Sequence, residues 1–531
     1  MAVGFSRDQW YNYIADRSHP PVASAVVEKP EYDPDHVYAW KPANNYKGWK
    51  LIAREETGVD DAEVIQKVLE YTSQLGLDYA IVKLIGTFDI KETIQYYSNV
   101  VVTGGTLKTY DGIYAFGNKD PNLSELKNFF LYKVKFVCAD GKSGDRLLTT
   151  AGAVAGASFP KISNCGIIEC EFWNYTYGEI GWGIAQENKV PEDIYIIGNK
   201  IYRIDAGSGD DAIDVAGIRV KVNDNLIVNK VQAAEAMAPV FLWDSEIKNN
   251  RIIYDPSIPS NLINLEPWKP WDAFADYCFK NVIIEGNYGK NGSFACGGGN
   301  YNKACYNVHW IDNKLVCDDN VNKDCSLGVV YQKYSKHIVV KGNRIYNAQL
   351  TFEARYATVE DLVIEGNIVV QTIPSPTGGA YWTCFGLAGI SDYTLKHVRV
   401  HGNTFVKLYD QGKVVNLYYI SAPDAEDIVI KNNQIVNPYN VPHGFEGVEW
   451  SVVYFDEVMK NSGTATITSG STSVTVSHGL VAAPSKVKVT PLDDPGSYWY
   501  VPKTSITDTS FDIVLASAPT ADVEFYWEAE V

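Results

Sequence analysis

The feature that most constrains this chain is one short pattern that occurs nine times. Apolar and variable residues alternate, a turn residue and an asparagine follow, and the alternation then resumes. Two copies read DIYIIGNKIY at 193–202 and HIVVKGNRIY at 337–346. Internal repetition on this scale is typical of folds in which similar units stack. The repeated asparagines are Asn199, Asn225, Asn250, Asn287, Asn313, Asn343, Asn367, Asn403 and Asn433.

Alternation on both sides of the asparagine predicts two short strands, each with one buried face. The residue before each asparagine is Gly, Asp or Asn, which tolerate the left-handed backbone of a tight corner. Stacking the units about 4.8 Å apart would align the asparagines, so that their amides form a hydrogen-bonded ladder. A third strand must close each coil. Alternating segments lie at a suitable distance along the chain from the asparagines to supply it, such as AIDV at 212–215, VFLW at 240–243 and LINLE at 262–266.

These features predict an all-β chain that forms a right-handed parallel β-helix of about twelve coils. The alternative is a β-sandwich or a propeller in which the asparagine turns are accidental. A propeller would show hairpin turns and longer, more regular periods. The nine in-phase asparagines favour the β-helix.

The segment at 58–76 reads as a short amphipathic helix with Asp60 or Asp61 at its start, and such a helix would cap the first coil. It is followed by LDYAIVKLIGTFDIKETI and then by SNVVVTGG at 98–105. This order of helix, strand and SNVxxxGG motif resembles the entry cap of the pectate-lyase-like β-helix superfamily, which includes tailspike depolymerases and polygalacturonases. The resemblance covers roughly residues 55–460. It implies a fold and not one activity, because this fold hosts lyases, hydrolases and binders.

The two ends of the chain differ from the repeat. Residues 1–52 are rich in aromatic residues and proline, and we interpret them as an N-terminal extension to the β-helix at 53–460. From 461 to 531 the composition shifts to Thr, Ser and Val with strict alternation, which predicts a small C-terminal β-sandwich module. Its role could be oligomerisation, carbohydrate binding or protection of the last coil's open edge.

Charge and composition exclude several functions. The formal net charge is −18, which argues against a sequence-independent nucleic-acid binder. No 18-residue apolar run occurs, so we expect no membrane span. The start MAVGFSRDQW lacks the features of a classical signal peptide. The 13 Trp and 35 Tyr against 3 Met suggest aromatic surfaces that stack on sugars or partners.

Cysteine and histidine give little sign of a metal site. There are 9 cysteines, of which Cys296 with Cys305 and Cys317 with Cys325 could close short loops in an oxidising environment, whereas Cys165, Cys170 and Cys384 suit buried thiols. No CxxC pair occurs and the histidines are scattered, so we expect neither a zinc site nor a cofactor. Calcium is the one candidate ion, and it would bind at an acidic turn that contains Asp318, Asp319 and Asp324. Alternatively, this turn is a solvated loop without a metal ion.

The richest candidate site is GDDAID at 209–214. In the polygalacturonase-type hydrolases that this segment resembles, a Gly-Asp-Asp before an apolar strand carries catalytic aspartates. The resemblance implies catalytic roles for Asp210 and Asp211. The carboxylates of this and the following coils supply the candidate partner, which is Asp214, Glu235 or Glu266. A polar turn before a strand is the alternative interpretation. Outward carboxylates in neighbouring coils would approach the separations that glycoside hydrolysis uses.

Tryptophans flank these carboxylates in sequence and suit a sugar groove, because indole rings cover the apolar face of a pyranose. Alternatively, they pack under long loops. Outward residues downstream could form a surface ion pair or extend the groove. The candidate substrate-binding residues are Trp182, Trp243, Asp244, Trp268, Trp271, Glu353 and Arg355.

The leading interpretation is a glycan-degrading β-helix protein, a glycoside hydrolase that acts on a polysaccharide or a glycoprotein glycan. A polysaccharide lyase ranks second, because that chemistry needs a base and neutralisation of a uronate, whereas this region is acid-rich. A non-catalytic adhesin that binds glycans is the alternative from another class. The resemblance to tailspikes implies an extracellular or virion-surface protein and a homotrimer, although no heptad pattern supports an oligomer.

Overall fold

The computed structural model describes most of the chain, with gaps between the stated ranges. Within them it contains long parallel sheets, the two α-helices Asp61–Ser73 and Asp456–Met459, and the short 3₁₀ helix Lys503–Ser505. The described ranges are 25–29, 36–42, 49–56, 61–110, 113–120, 122–139, 148–152, 160–175, 180–182, 189–204, 211–230, 235–266, 277–296, 303–319, 321, 325–331, 334–354, 358–375, 382–389, 394–420, 425–439 and 441–531.

The strands that precede the ladder asparagines form the first face of a parallel β-helix. They belong to a 23-stranded sheet, which also contains the third-face strands of the early coils. The two groups join because Ile213–Ile218 pairs with Ile180–Trp182 at one end and with Phe241–Lys248 at the other. Its strands are Ala25–Glu28, His36–Pro42, Trp49–Glu56, Ala80–Ile85, Ile94–Gln95, Val100–Thr103, Phe116–Asn118, Glu125–Lys127, Phe129–Tyr132, Leu148–Gly152, Lys161–Ile168, Ile180–Trp182, Glu192–Ile197, Ile213–Ile218, Lys221–Asn223, Phe241–Lys248, Phe279–Glu285, Lys303–Ile311, Tyr334–Lys341, Val359–Glu365, Leu395–His401, Glu426–Lys431 and Val453–Phe455.

The strands after the asparagines form the second face, a sheet of thirteen parallel strands, where the sequence predicts about twelve coils. They are Thr87–Ile90, Thr106–Thr109, Lys135–Cys138, Glu171–Trp173, Lys200–Arg203, Leu226–Asn229, Arg251–Tyr254, Tyr288–Lys290, Lys314–Val316, Arg344–Tyr346, Ile368–Gln371, Thr404–Lys407 and Gln434–Val436. The later third face is a seven-stranded sheet. It comprises Ser260–Leu265, Gly292–Cys296, Ser326–Tyr331, Gln349–Ala354, Thr383–Gly389, Lys413–Tyr418 and Gly444–Glu446. The predicted all-β parallel β-helix is therefore confirmed.

The asparagine ladder is present in full. Each of the nine side chains is buried, and every amide except the last donates to the next asparagine Oδ1 at 2.8–3.0 Å. Each amide also donates to a backbone carbonyl, as Asn287 does to Ile247 at 2.9 Å. The nine residues that precede the asparagines all have φ between 52° and 68°, as predicted for the corner.

A second column of left-handed residues was not predicted. The residue six positions before each ladder asparagine also has a positive φ, between 49° and 58°. We call this set the outer column, because its side chains meet one another on the outside of the first face. It comprises Asp193, Arg219, Asp244, Asn281, Asn307, His337, Asp361, His397 and Asp427.

The predicted helix at the start of the β-helix spans Asp61–Ser73, and its expected apolar face is buried in the main core. Those buried residues are Val64, Ile65, Val68 and Leu69. The Asp61 carboxylate accepts the Asp89 amide at 2.6 Å and lies 3.3 Å from the Lys29 ammonium. It therefore ties the helix to the first coils, while Asp60 lies outside the described residues.

All nine cysteines are buried free thiols, as expected for Cys165, Cys170 and Cys384. The two disulfides that the sequence left open are not formed. The Cys296 and Cys305 Sγ atoms are in contact at 3.3 Å as thiols.

Residues 460–531 form two three-stranded antiparallel sheets with a hydrophobic core of their own that includes Ile467, Phe511 and Phe525. The strands are Lys460–Ile467, Val523–Glu530 and Lys486–Pro491 in one sheet, and Ser473–Ser477, Ser510–Leu515 and Trp499–Tyr500 in the other.

We predict that residues from about 461 to 531 fold independently of the β-helix. A chain that ends at Met459 should keep a β-rich circular dichroism spectrum and a cooperative thermal transition. The reason is that the buried residues of the β-helix and those of the C-terminal module form two separate hydrophobic cores. An unfolded truncated chain would show that the boundary is wrong.

Lys407 is fully buried inside the β-helix, where its ammonium donates to Gln371 Oε1 at 2.6 Å and to the Trp382 carbonyl at 3.2 Å. Burial lowers the pKa of Lys407 to about 8. Between about pH 8 and the ordinary value of about 10.4, the unfolded chain binds this proton and the folded chain does not. Stability should therefore rise with pH across that window.

We predict that Lys407→Met removes this part of the pH dependence. The free energy of unfolding of the parent chain should rise more between pH 8 and pH 10 than that of the variant, by up to about 2–3 kcal/mol. Urea unfolding at both pH values measures the difference. If the free energy of unfolding rose equally between pH 8 and pH 10 in the two chains, the result would contradict a lowered Lys407 pKa.

Candidate active site

The third face brings carboxylates of successive coils together. The Ala212 amide donates to the Glu235 carbonyl at 3.1 Å, and the Ala236 amide donates to the Asn261 carbonyl at 3.1 Å. These bonds align Asp211, Glu235 and Asn261 across three neighbouring coils. Of the five predicted catalytic carboxylates, the structure thus places Asp211 beside Glu235.

Glu235 is the centre of this group. Its Oε1 accepts hydrogen bonds from Asn261 Nδ2 at 2.6 Å and from Asn264 Nδ2 at 2.8 Å. Its backbone amide donates to Asp211 Oδ1 at 3.0 Å. The strand Ser260–Leu265 therefore holds the carboxyl group, and Asp211 holds the backbone of Glu235.

Glu266 joins the group through a shared amide. Asn264 Nδ2 donates to Glu266 Oε1 at 2.9 Å as well as to Glu235 Oε1. Two hydrogen bonds to one nitrogen limit the separation of these carboxylate oxygens to about 6 Å. Retaining glycosidases place their two carboxyl groups about 5–5.5 Å apart, and inverting ones about 6.5–9.5 Å. The shared amide therefore brings the nearest oxygens of the two carboxyl groups into the range of separations at which paired carboxylates of glycosidases act.

The pKa of the Glu235 carboxyl group is raised. Burial raises the pKa of Glu235 to about 8, the negative charges of Glu266 and Asp211 add to this effect, and the Asn261 and Asn264 amides oppose it. Its Oε2 is buried and has no hydrogen-bond partner among the described residues. Glu235 is therefore mainly protonated at neutral pH, with a proton that it can donate.

Two further buried residues lie within electrostatic reach of the carboxylates. Tyr254 and Arg203 both sit on the second face with almost no exposed surface. Burial raises the pKa of Tyr254, as do the charges of Asp211 and Glu235, whereas the charge of Arg203 lowers it. Asp214 lies on the strand Ile213–Ile218, opposite Gly181 of the preceding coil.

Trp243 and Asp244 do not join this group, contrary to the expectation that VFLW supplies a third strand. They lie on the first-face strand Phe241–Lys248, and the third-face segment of this coil includes Met237, which bridges to Ile213. Phe241 packs with Val190 and Ala216 in a small cluster that is separate from the main core.

The surroundings of these two residues are those of a packed surface. The Trp243 indole donates to the Tyr277 carbonyl at 2.8 Å, and the Lys280 ammonium lies 5.2 Å from the ring centroid. Asp244 is exposed and accepts a hydrogen bond from Asn281 at 2.8 Å.

Other predicted site residues lie elsewhere on the chain. Glu353 is on Gln349–Ala354, three strands beyond Ser260–Leu265 in the third-face sheet. Trp182 ends the strand Ile180–Trp182 and pairs with Val215, but its side chain lies outside the described part of the structure. Four more predicted residues are outside the described ranges altogether: Asp210, Trp268, Trp271 and Arg355.

The expected calcium turn is partly described. Asp318 lies 2.9 Å from the Lys290 ammonium and accepts a hydrogen bond from Asn291 at 3.1 Å, and Asp324 is outside the described ranges. Lys290 thus already supplies a cation to this turn. Within the described residues, no helix combines the length and apolar character needed to cross a bilayer.

Comparison with known proteins gives distant structural likenesses. No family model matches the chain, and no curated protein matches it by sequence. The solved structures that it resembles include a mutant tailspike protein of E. coli bacteriophage HK620 in complex with a pentasaccharide, at 13% identity and a TM-score of 0.43, which covers 89% of this chain and 90% of that one. The tailspike protein of Pseudomonas phage LKA1 is similar at 10% identity and a TM-score of 0.40, with coverage of 88% and 93%.

The A-module of an Azotobacter vinelandii mannuronan C-5 epimerase is also similar, at 10% identity and a TM-score of 0.38, covering 75% of this chain and 96% of that module. The chain's own strands define its class, which is that of the parallel β-helix proteins.

Proposed function

We propose that this protein cleaves glycans by hydrolysis at the carboxylate group around Glu235. The observation that carries the proposal is a buried, neutral carboxyl group whose neighbour, Glu266, shares the same amide donor. Glycoside hydrolysis needs this combination, because one carboxylic acid must protonate the leaving oxygen while a second, ionised carboxylate acts at the anomeric carbon.

The roles follow from the contacts. Glu235 acts as the general acid, with Oε2 as the atom that donates the proton. Glu266 is the second, ionised carboxylate, which acts at the anomeric carbon either as the nucleophile or as the base that activates a water. Asn261, Asn264 and Asp211 position Glu235. The predicted role of Asp210 as a catalytic carboxylate remains part of this proposal.

The substrate is a polysaccharide or a glycoprotein glycan, and the protein acts outside the cell or on a virion. The acid-rich site favours hydrolysis over the lyase reaction, since a lyase must neutralise a substrate carboxylate and abstract a proton beside it. We propose Trp182, Trp268 and Trp271 as sugar-stacking residues, Glu353 and Arg355 as an extension of the groove, and a homotrimer as the assembly.

The test is a glycan-array screen followed by product analysis of every retained glycan. Release of new reducing ends supports the hydrolase. New ultraviolet absorbance from an unsaturated uronate would instead show a lyase, and retention without cleavage would show a glycan-binding adhesin. Either of the last two results would overturn the proposed reaction.

A further inference from the structure

The outer column ends in an alternation of imidazoles and carboxylates. His337, Asp361, His397 and Asp427 occupy the same position in four successive coils. His337 Nδ1 lies 2.9 Å from Asp361 Oδ2, and His397 Nδ1 lies 3.4 Å from Asp427 Oδ2. These residues are 24 to 36 positions apart in sequence, which is why the scattered histidines gave no metal pattern there.

One part of this column has the composition and spacing of a metal site. Glu360, Asp361 and His397 each offer one ligand atom, and those atoms all lie within 4.8 Å of one another. The pairing of Val359–Glu365 with Leu395–His401 holds them together, with Glu360 opposite Lys396. All three side chains are partly exposed, so an ion could reach them from solvent.

A cation already lies between the two carboxylates. The Lys336 ammonium is 2.7 Å from Glu360 Oε1 and 3.7 Å from Asp361 Oδ2. This flexible side chain neutralises the pair in the metal-free protein, and it can move outward when a more highly charged ion enters.

His397 has a carboxylate beside one of its two ring nitrogens. Its Nδ1 lies 3.4 Å from Asp427 Oδ2, and the Arg399 guanidinium holds this carboxylate. When Nδ1 donates its proton to Asp427, Nε2 carries the lone pair. A histidine that binds a metal through one nitrogen commonly donates its other N–H to a carboxylate in this way.

We propose that Glu360, Asp361 and His397 bind a divalent transition-metal ion of the zinc class. Two carboxylates and one imidazole form a donor set that suits zinc, whereas calcium and magnesium prefer oxygen ligands alone. Zinc–ligand bonds are about 2.0–2.2 Å long, so the three atoms need to approach by only small side-chain rotations. The site lies on the first face, away from the Glu235 group, and does not rest on the proposed reaction.

The test is isothermal titration of the full chain with ZnCl₂, with CoCl₂ absorption spectra as a second measurement. We expect one tight site that Asp427→Asn weakens about 10–100-fold and that His397→Ala weakens further. Lys336→Met should tighten it, because the competing ammonium is gone. His401→Ala, which alters a partly exposed position on the same strand, should leave zinc affinity unchanged.

Equal zinc affinity in the parent chain and in His397→Ala would overturn the site, as would a parent chain whose cobalt complex shows no protein-dependent visible band. Weaker binding in Lys336→Met would also contradict it, and this variant does not depend on loss of a ligand. Circular dichroism confirms that each variant is folded.

Discussion

Replacing Glu235 with glutamine is expected to lower the rate of glycan cleavage by at least about 10²-fold, because the variant has no proton to donate to the leaving oxygen. Glutamine keeps the size of the side chain and an oxygen that can accept the Asn261 and Asn264 hydrogen bonds. Binding of the glycan should therefore change much less than the rate. Reducing-end release under substrate saturation, together with glycan affinity, separates the two effects.

Glu446→Gln is the matched control for this experiment. Glu446 also lies on the third-face sheet, but its strand, Gly444–Glu446, is six strands further along than the Asn261 strand, and its side chain is exposed. We expect its rate of cleavage to stay close to that of the parent chain. Full activity in Glu235→Gln combined with loss of activity in Glu353→Gln would place the reaction at the downstream face.

Replacing a ladder asparagine with leucine is expected to be strongly destabilising. Asn287 donates to Asn313 Oδ1 and to the Ile247 carbonyl, and its own Oδ1 accepts two hydrogen bonds from Asn250. Leucine would leave several buried polar groups without partners, at about 1–3 kcal/mol each. We expect a clearly lower thermal midpoint for Asn287→Leu and for Asn343→Leu.

Gln434→Leu serves as the control for the ladder experiment, since Gln434 is exposed and immediately follows Asn433. Its thermal midpoint should shift only slightly. If both ladder variants melted at the parent temperature, the side-chain amides would contribute nothing to the stacking of the coils.

The fold could be predicted because one local requirement recurs nine times. A tight corner needs a left-handed residue, a buried asparagine can satisfy the backbone groups that the corner exposes, and both leave a visible mark in sequence. The outer column was missed because residues as different as Arg219, Asn281 and His337 occupy it. Their shared property is a backbone angle, which composition does not show.

The site could be predicted only in part. Asp211 came from the resemblance of its Gly-Asp-Asp segment, and Glu235 and Glu266 came from the concentration of carboxylates in the next coils. The structure brings the three into one group. Asn261 and Asn264 were missed, although both lie in the NLINLE segment directly before Glu266. Trp243 was placed on the third face of its coil but lies on the first face. Alternation predicts that a segment forms a strand, but it does not show to which face of the coil that strand belongs.

The pH dependence of kcat/KM for reducing-end release tests the central claim most directly. Glu235 must be protonated to act as the acid, and burial raises its pKa to about 8. The account predicts that activity falls as the pH rises through about 8, and that this fall is absent from the residual activity of Glu235→Gln. A descending limb that persists unchanged in Glu235→Gln would contradict the assignment of Glu235 as the general acid.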